Sequence, residues 1–173
     1  MKKIFTLIAI SALASCSTPK GTPVTNWLGK TVILISEPSA EGTVTAERKL
    51  NTSISLQATT ELFPVMRFDP EKTVISYEYT KNTSNLPQAD DFYKEEIFIE
   101  IPTSAFKKTY TNEALQDVKL IYGKHCYCKG EAGYYKITEG SLKINQTDKN
   151  TYVSLTFKAP VTSVIENVEF SVE

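Results

Sequence analysis

Residues 124–135 read KHCYCKGEAGYY, which places Cys126 and Cys128 two positions apart beside His125, the only histidine in the chain. Two thiols and an imidazole this close together can form a covalent bridge, exchange electrons with a partner thiol, or hold a soft metal ion. On an extended strand, side chains alternate between the two faces. Cys126 and Cys128 then share a face, and His125 and Tyr127 occupy the other. A metal set of His125, Cys126 and Cys128 therefore needs a bend, which Gly123 and Gly130 permit by bracketing the stretch. Zinc takes four protein ligands in structural sites and three plus water in catalytic ones. This segment offers three at most, with a single residue between the thiols. A disulfide fits the spacing better. Residues i and i+2 of a strand are about 6.6 Å apart at Cα, the upper edge of the accepted range of ~4.4–6.8 Å, and a local kink shortens that. So small a ring removes little entropy from the unfolded chain, so its main effect is to fix a bend. Strained short bridges are also readily reduced, and Lys124, His125 and Lys129 supply the positive field that depresses a thiol pKa. A structural disulfide is the reading the residues favour, while free thiols, a metal set and redox exchange stay open.

Other chemistry leaves little trace. With one histidine, a Ser-His-Asp site could use only His125, and no Gly-x-Ser-x-Gly elbow is present. The seven glycines are too scattered for a phosphate-cradling loop. Asp90, Asp91, Glu95 and Glu96 cluster without the glycine and spacing of a calcium loop, and read as a solvated loop. Carboxylate pairs for glycoside hydrolysis lie far apart along a chain and leave no local pattern. Catalytic residues and cofactors are accordingly expected to be none. Tyr77, Tyr79, Phe92, Tyr93, Tyr122, Tyr127, Tyr134 and Tyr135 make a tyrosine-rich middle section. In an all-β domain such residues cap the core or pair across strands more often than they form an interface.

The N-terminus is more explicit. MKKIFTLIAISALASC opens with Lys2 and Lys3 and continues with an apolar run, Ile4 to Leu13. That run suits a signal-peptide core and is too short to cross a bilayer of ~30 Å. Leu13-Ala14-Ser15-Cys16 then resembles the lipobox of bacterial lipoproteins. The resemblance implies a signal peptide over residues 1–15, with Cys16 acylated on its sulfur (palmitate-type chains) and on its freed amino group. Two or three acyl chains, at ~0.8 kcal/mol per buried CH2, make a stable membrane anchor. Ser17, where a retention aspartate would stand, implies the outer membrane. The absence of acids directly after Cys16 points to its periplasmic face. Residues 1–15 carry two lysines and no acids, so the remainder has 17 basic against 20 acidic side chains, a net charge of −3. Without a basic stripe, nucleic acid is not expected as a partner. Export also permits disulfides. Residues 16–26, rich in Ser, Thr, Pro and Gly, read as a flexible tether.

Residues 27–173 are the size of one domain able to bury its own core. Strand patterns dominate: Thr31–Ile35, Gly42–Glu47, Ser53–Gln57, Val74–Tyr79, Glu96–Ile101 closed by Pro102, and Val118–Tyr122. Tyr134–Thr138 and Ser141–Asn145 flank Glu139-Gly140 and read as a hairpin. Tyr152–Phe157 alternates strictly, and Val164–Val172 closes the series with Val168, Phe170 and Val172 on one face. A short helical piece is expected near Asn112–Gln116, and an exposed loop over Asn85–Asp91. Some nine to eleven short strands at this spacing predict an all-β fold, an antiparallel β-sandwich of immunoglobulin-like or related Greek-key type. The C-terminal YYKITEGSLKI…TYVSLTFKA…ENVEFSV resembles small all-β bacterial lipoproteins, a likeness that brings no activity with it. Asn26-Trp27-Leu28-Gly29 resembles the start of lipocalin-type barrels, with the glycine after the tryptophan instead of before it. It makes a closed barrel carrying apolar ligands the alternative architecture. Taken together, the sequence predicts a lipid-anchored envelope protein with a non-enzymatic binding or structural role and a protein or small-ligand partner. The rival is a thiol-redox or metal-handling lipoprotein.

Overall fold

The computed structural model describes residues 21–25, 31–34, 41–58, 62–82 and 92–173. The expected signal peptide, Cys16, Ser17, Asp90, Asp91 and the Asn26–Gly29 motif lie outside the described residues.

Among the described residues, eleven strands form two antiparallel sheets. The first sheet runs β1 (Thr22–Thr25), β2 (Thr31–Leu34), β11 (Asn167–Val172), β10 (Thr151–Phe157), β9 (Gly140–Gln146), β6 (Phe106–Thr111). The second runs β3 (Gly42–Ala58), β4 (Leu62–Lys81), β5 (Tyr93–Pro102), β7 (Ile121–Cys126), β8 (Gly133–Lys136). The two sheets stack as a sandwich and do not close on each other, so the barrel alternative does not hold. Val153, Leu155, Phe157, Val168, Phe170 and Val172 face Ile75, Tyr77, Ile97, Ile99, Ile101 and Tyr122 across a single core. Ring pairs such as Tyr77–Phe170, with centroids 5.1 Å apart, and Tyr122–Phe157, at 5.7 Å, tie the sheets together.

Several elements depart from expectation, each for an identifiable reason. Thr22–Thr25 falls inside the expected tether but pairs with β2 as the outermost strand of its sheet. Its two threonines and Val24 suit a strand, and an edge tolerates Pro23. Phe106–Thr111, not expected as a strand, is the opposite edge, where Lys107 and Lys108 guard against further pairing. Gly42–Glu47 and Ser53–Gln57 are one long strand, interrupted only by a bulge at Asn51, which sits in the left-handed region at φ 54°. Asparagine tolerates that conformation. The helical piece is a 3-10 helix, Asn112–Val118, ended by a left-handed Lys119, so β7 starts three residues later than expected. The expected hairpin at Glu139-Gly140 is instead a crossing: β8 pairs with β7 in one sheet and β9 with β10 in the other. Gly140 adopts φ 145°, and a Cβ there would lie 2.3 Å from the Thr156 carbonyl oxygen. The glycine serves close packing against β10, not a tight turn.

The longest hairpin, β3–β4, is bent. Beyond Asn51, residues 52–58 pair with 62–68, while Asp69–Lys72 have no partner on β3. This distal arm folds onto the outer face of its own sheet. There Ile54, with Leu56 and Met66 against it, joins Val74, Phe98 and Ile121 in a second, smaller apolar cluster.

Candidate functional site

Strand β5 has two buried faces with different chemistry. Glu95, Ile97, Ile99 and Ile101 point between the sheets, and Glu96, Phe98 and Glu100 point to the outer face beneath the arm. The expectation of a solvated acidic loop is therefore wrong for Glu95 and Glu96, which are 0% and 7% exposed. Buried carboxylates require partners, and each has a distinct set.

Glu96 lies in a row across the outer face: Thr45, Glu78, Glu96, Gly123, Tyr134. Gly123 is the opening in that row. A Cβ there would come within 2.9 Å of Glu96 Cγ and 2.7 Å of the Tyr134 ring. Without it, Glu96 reaches across β7 and its Oε1 accepts from Tyr134 Oη at 2.8 Å. The same oxygen lies 2.6 Å from His125 Nε2. Lys94 Nζ bridges Glu96 and Glu78 at 3.3 and 3.2 Å. Burial disfavours the Glu96 charge, but the bonds from His125 and Tyr134 and the positive charge of Lys94 outweigh it, holding the carboxyl down to about 2. Lys94 is held above its ordinary range: burial works against its charge, and Glu96 and Glu78 prevail. Burial, then the bond to Glu96, push the Tyr134 hydroxyl well above its usual range.

Glu96 and Glu78 line a cleft of about 270 Å³ on this face, together with Thr45, Glu47, Lys49, Ser76 and Phe98. Glu47 and Lys49 pair within it at 3.1 Å. The cleft thus offers carboxylate and hydroxyl acceptors beside the Lys49 ammonium, with the aromatic Phe98 in its lining. Its charges are already paired with one another. A carboxylate ionised this firmly is an acceptor at neutral pH and no proton donor.

Beside the cleft, the arm is held through the backbone of one residue, Ile54. Ile54 N donates to Glu100 Oε2 at 2.6 Å, and Lys119 Nζ donates to Ile54 O at 2.8 Å and to Glu100 Oε2 at 2.7 Å. Phe63 packs edge-on against Tyr134, with centroids 5.5 Å apart.

The inward face carries a second buried ionic group. Glu95 accepts from Ser163 Oγ, Val164 N, Ile165 N and the Tyr93 hydroxyl. Its register partner Lys124 is 2% exposed. Lys124 donates to Thr162 O at 2.8 Å and Thr162 Oγ1 at 2.7 Å, and pairs with Glu131.

The sequence-predicted thiols meet: Cys126 and Cys128 stand at disulfide distance, with Cα atoms 5.2 Å apart. His125 does not join them. It turns to the outer face and engages Glu96, so the three candidate metal ligands are divided. Among the described residues, no group of three or more His, Cys, Asp or Glu side chains gathers as a metal site. Tyr77, Tyr79 and Tyr122 are core residues, and Tyr122 and Tyr135 pair across strands, as expected. Phe92 and Tyr127 are exposed instead. The cleft residues Glu47, Lys49 and Glu78, and Lys94 beside them, were not among the sequence candidates for a site, and Glu96 was weighed only as part of an acidic cluster. The available signal was Glu96 and Glu100 flanking Phe98 on a strand whose alternate positions 97, 99 and 101 are isoleucine. The chain matches no protein-family model, no curated protein and no solved structure.

Proposed function

We propose that this protein is a non-enzymatic envelope lipoprotein, anchored at the outer membrane through acylated Cys16, whose β-sandwich receives a small polar ligand or partner side chain in the outer-face cleft. The anchor rests on the lipobox Leu13-Ala14-Ser15-Cys16. The binding role rests on one observation: His125 is already bound to Glu96, and Glu96 to His125, Tyr134 and Lys94. Together these bonds fix an ionised carboxylate acceptor in a shaped, charge-paired recess, which suits recognition of a polar group.

Two measurements test the two halves. The intact mass of the chain extracted from membranes is expected to begin at Cys16 and carry acyl chains; an unmodified Cys16 overturns the anchor. A fragment screen by NMR is expected to yield polar ligands that shift the amides of Thr45–Lys49 and Ser76–Glu78. Hits confined to other surfaces overturn the cleft as the binding site.

A further inference from the structure

We infer that the Cys126–Cys128 disulfide is a redox-operated latch on the loop joining β10 to β11. Four links carry it. The first is the bridge itself, which holds Cys126 and Cys128 at 5.2 Å between Cα atoms, shorter than the ~6.6 Å of an extended i, i+2 pair. It therefore ends β7 at Cys126 and starts a turn. The second is that turn, in which Glu131 N donates to Cys128 O at 3.2 Å and Gly130 sits at φ 81°. The turn aims Glu131 back over the strand it follows. The third is Glu131 itself, which pairs with Lys124 and accepts from Thr162 Oγ1 at 2.5 Å. The fourth is Lys124, whose buried ammonium holds Thr162 by both carbonyl and hydroxyl, directly before the residues that Glu95 grips.

Reduction by a dithiol breaks the S–S bond with two electrons and two protons, leaving two cysteine thiols while the dithiol closes to its own disulfide. The Cys126–Cys128 spacing is then free to lengthen toward that of a strand, and Glu131 moves away from Lys124. A buried ammonium deprived of its carboxylate is unstable where it is. Lys124 follows Glu131 toward water and releases Thr162, and the loop from Lys158 to Glu166 loosens. What still holds this loop is the bonding of Ser163, Val164 and Ile165 to Glu95 and the burial of Ala159 and Ile165 in the core.

The test is hydrogen exchange by mass spectrometry on the mature full chain in mild detergent, oxidised and after reduction. Exchange in segment 158–166 is expected to rise on the order of tenfold on reduction, while β9 and β10 stay protected. Glu131→Gln, with the disulfide intact, is expected to loosen the same segment. A change confined to 124–133 overturns the latch, as does a rise spread over the whole sandwich, which would make the bridge a global staple. A fully protected 158–166 segment in Glu131→Gln overturns the route through Lys124.

Discussion

Glu96 is a carboxylate in a place where a carboxylate is expensive, and its ionisation makes a measurable statement about stability. Its folded pKa of about 2 lies below the ordinary 4.5, so ionised Glu96 stabilises the fold at every pH above about 5. That contribution fades as pH falls from about 5 toward 2. At ~1.4 kcal/mol per unit of pKa it amounts to roughly 3 kcal/mol. Urea unfolding of wild type and Glu96→Gln is therefore expected to differ most near pH 7, with the difference narrowing steadily on acidification. An unchanged difference at pH 2.5 would exclude this assignment. Gly123→Ala tests the same cluster from the other side, since the added methyl must displace the Tyr134 ring or Glu96. A loss of about 1–3 kcal/mol is expected, together with weakened binding in the cleft. The disulfide is a contrasting case at this scale. A ring of three residues removes at most about 1.6 kcal/mol of unfolded-state entropy, so Cys126→Ser with Cys128→Ser is expected to shift the urea midpoint only slightly.

The bent β3–β4 hairpin poses the question of what keeps a strand pair folded onto its own sheet. Its apolar contacts are few: Ile54 with Leu56 and Met66 against Val74, Phe98 and Ile121. The Glu100–Lys119 pair adds direction by taking both the N–H and the C=O of Ile54. Lys119→Met removes the donor to the Ile54 carbonyl and the counter-charge of the buried Glu100 carboxylate. Limited proteolysis is expected to cut this variant within residues 51–68 while the rest of the sandwich resists; equal resistance in both proteins would show that the apolar seat suffices. The crossing at Gly140 makes an element-scale prediction of another kind. Alanine there meets backbone, at 2.3 Å from the Thr156 oxygen, and sits at a φ that L-residues avoid. Gly140→Ala is expected to cost more than ~2 kcal/mol, measured as a drop in Tm against wild type.

At the scale of the whole molecule, the chain crosses between the two sheets four times, so strands adjacent in space are often remote in sequence. Loop closure must precede these pairings, and folding in milliseconds to seconds is expected for such a topology, measurable by stopped-flow tyrosine fluorescence. The amino-acid sequence alone determined the fold class, because alternation with period two is a local property: Tyr152–Phe157 buries Val153, Leu155 and Phe157 as its pattern requires. It also favoured the disulfide, because two thiols two residues apart need only a local kink to meet. The site was legible only in fragments. Glu96 and Tyr134 are 38 residues apart along the chain, and what joins them is the β5–β7–β8 register and a missing Cβ at Gly123. Glu139-Gly140 carries the signature of a turn in either arrangement, and only packing against Thr156 made it a crossing. Asp90 to Glu96 reads as solvated acid until the tertiary structure supplies the arm, the lysines and the loop that enclose Glu95 and Glu96. Burial of a charge is decided by groups that arrive from elsewhere in the chain, and no local pattern records their arrival.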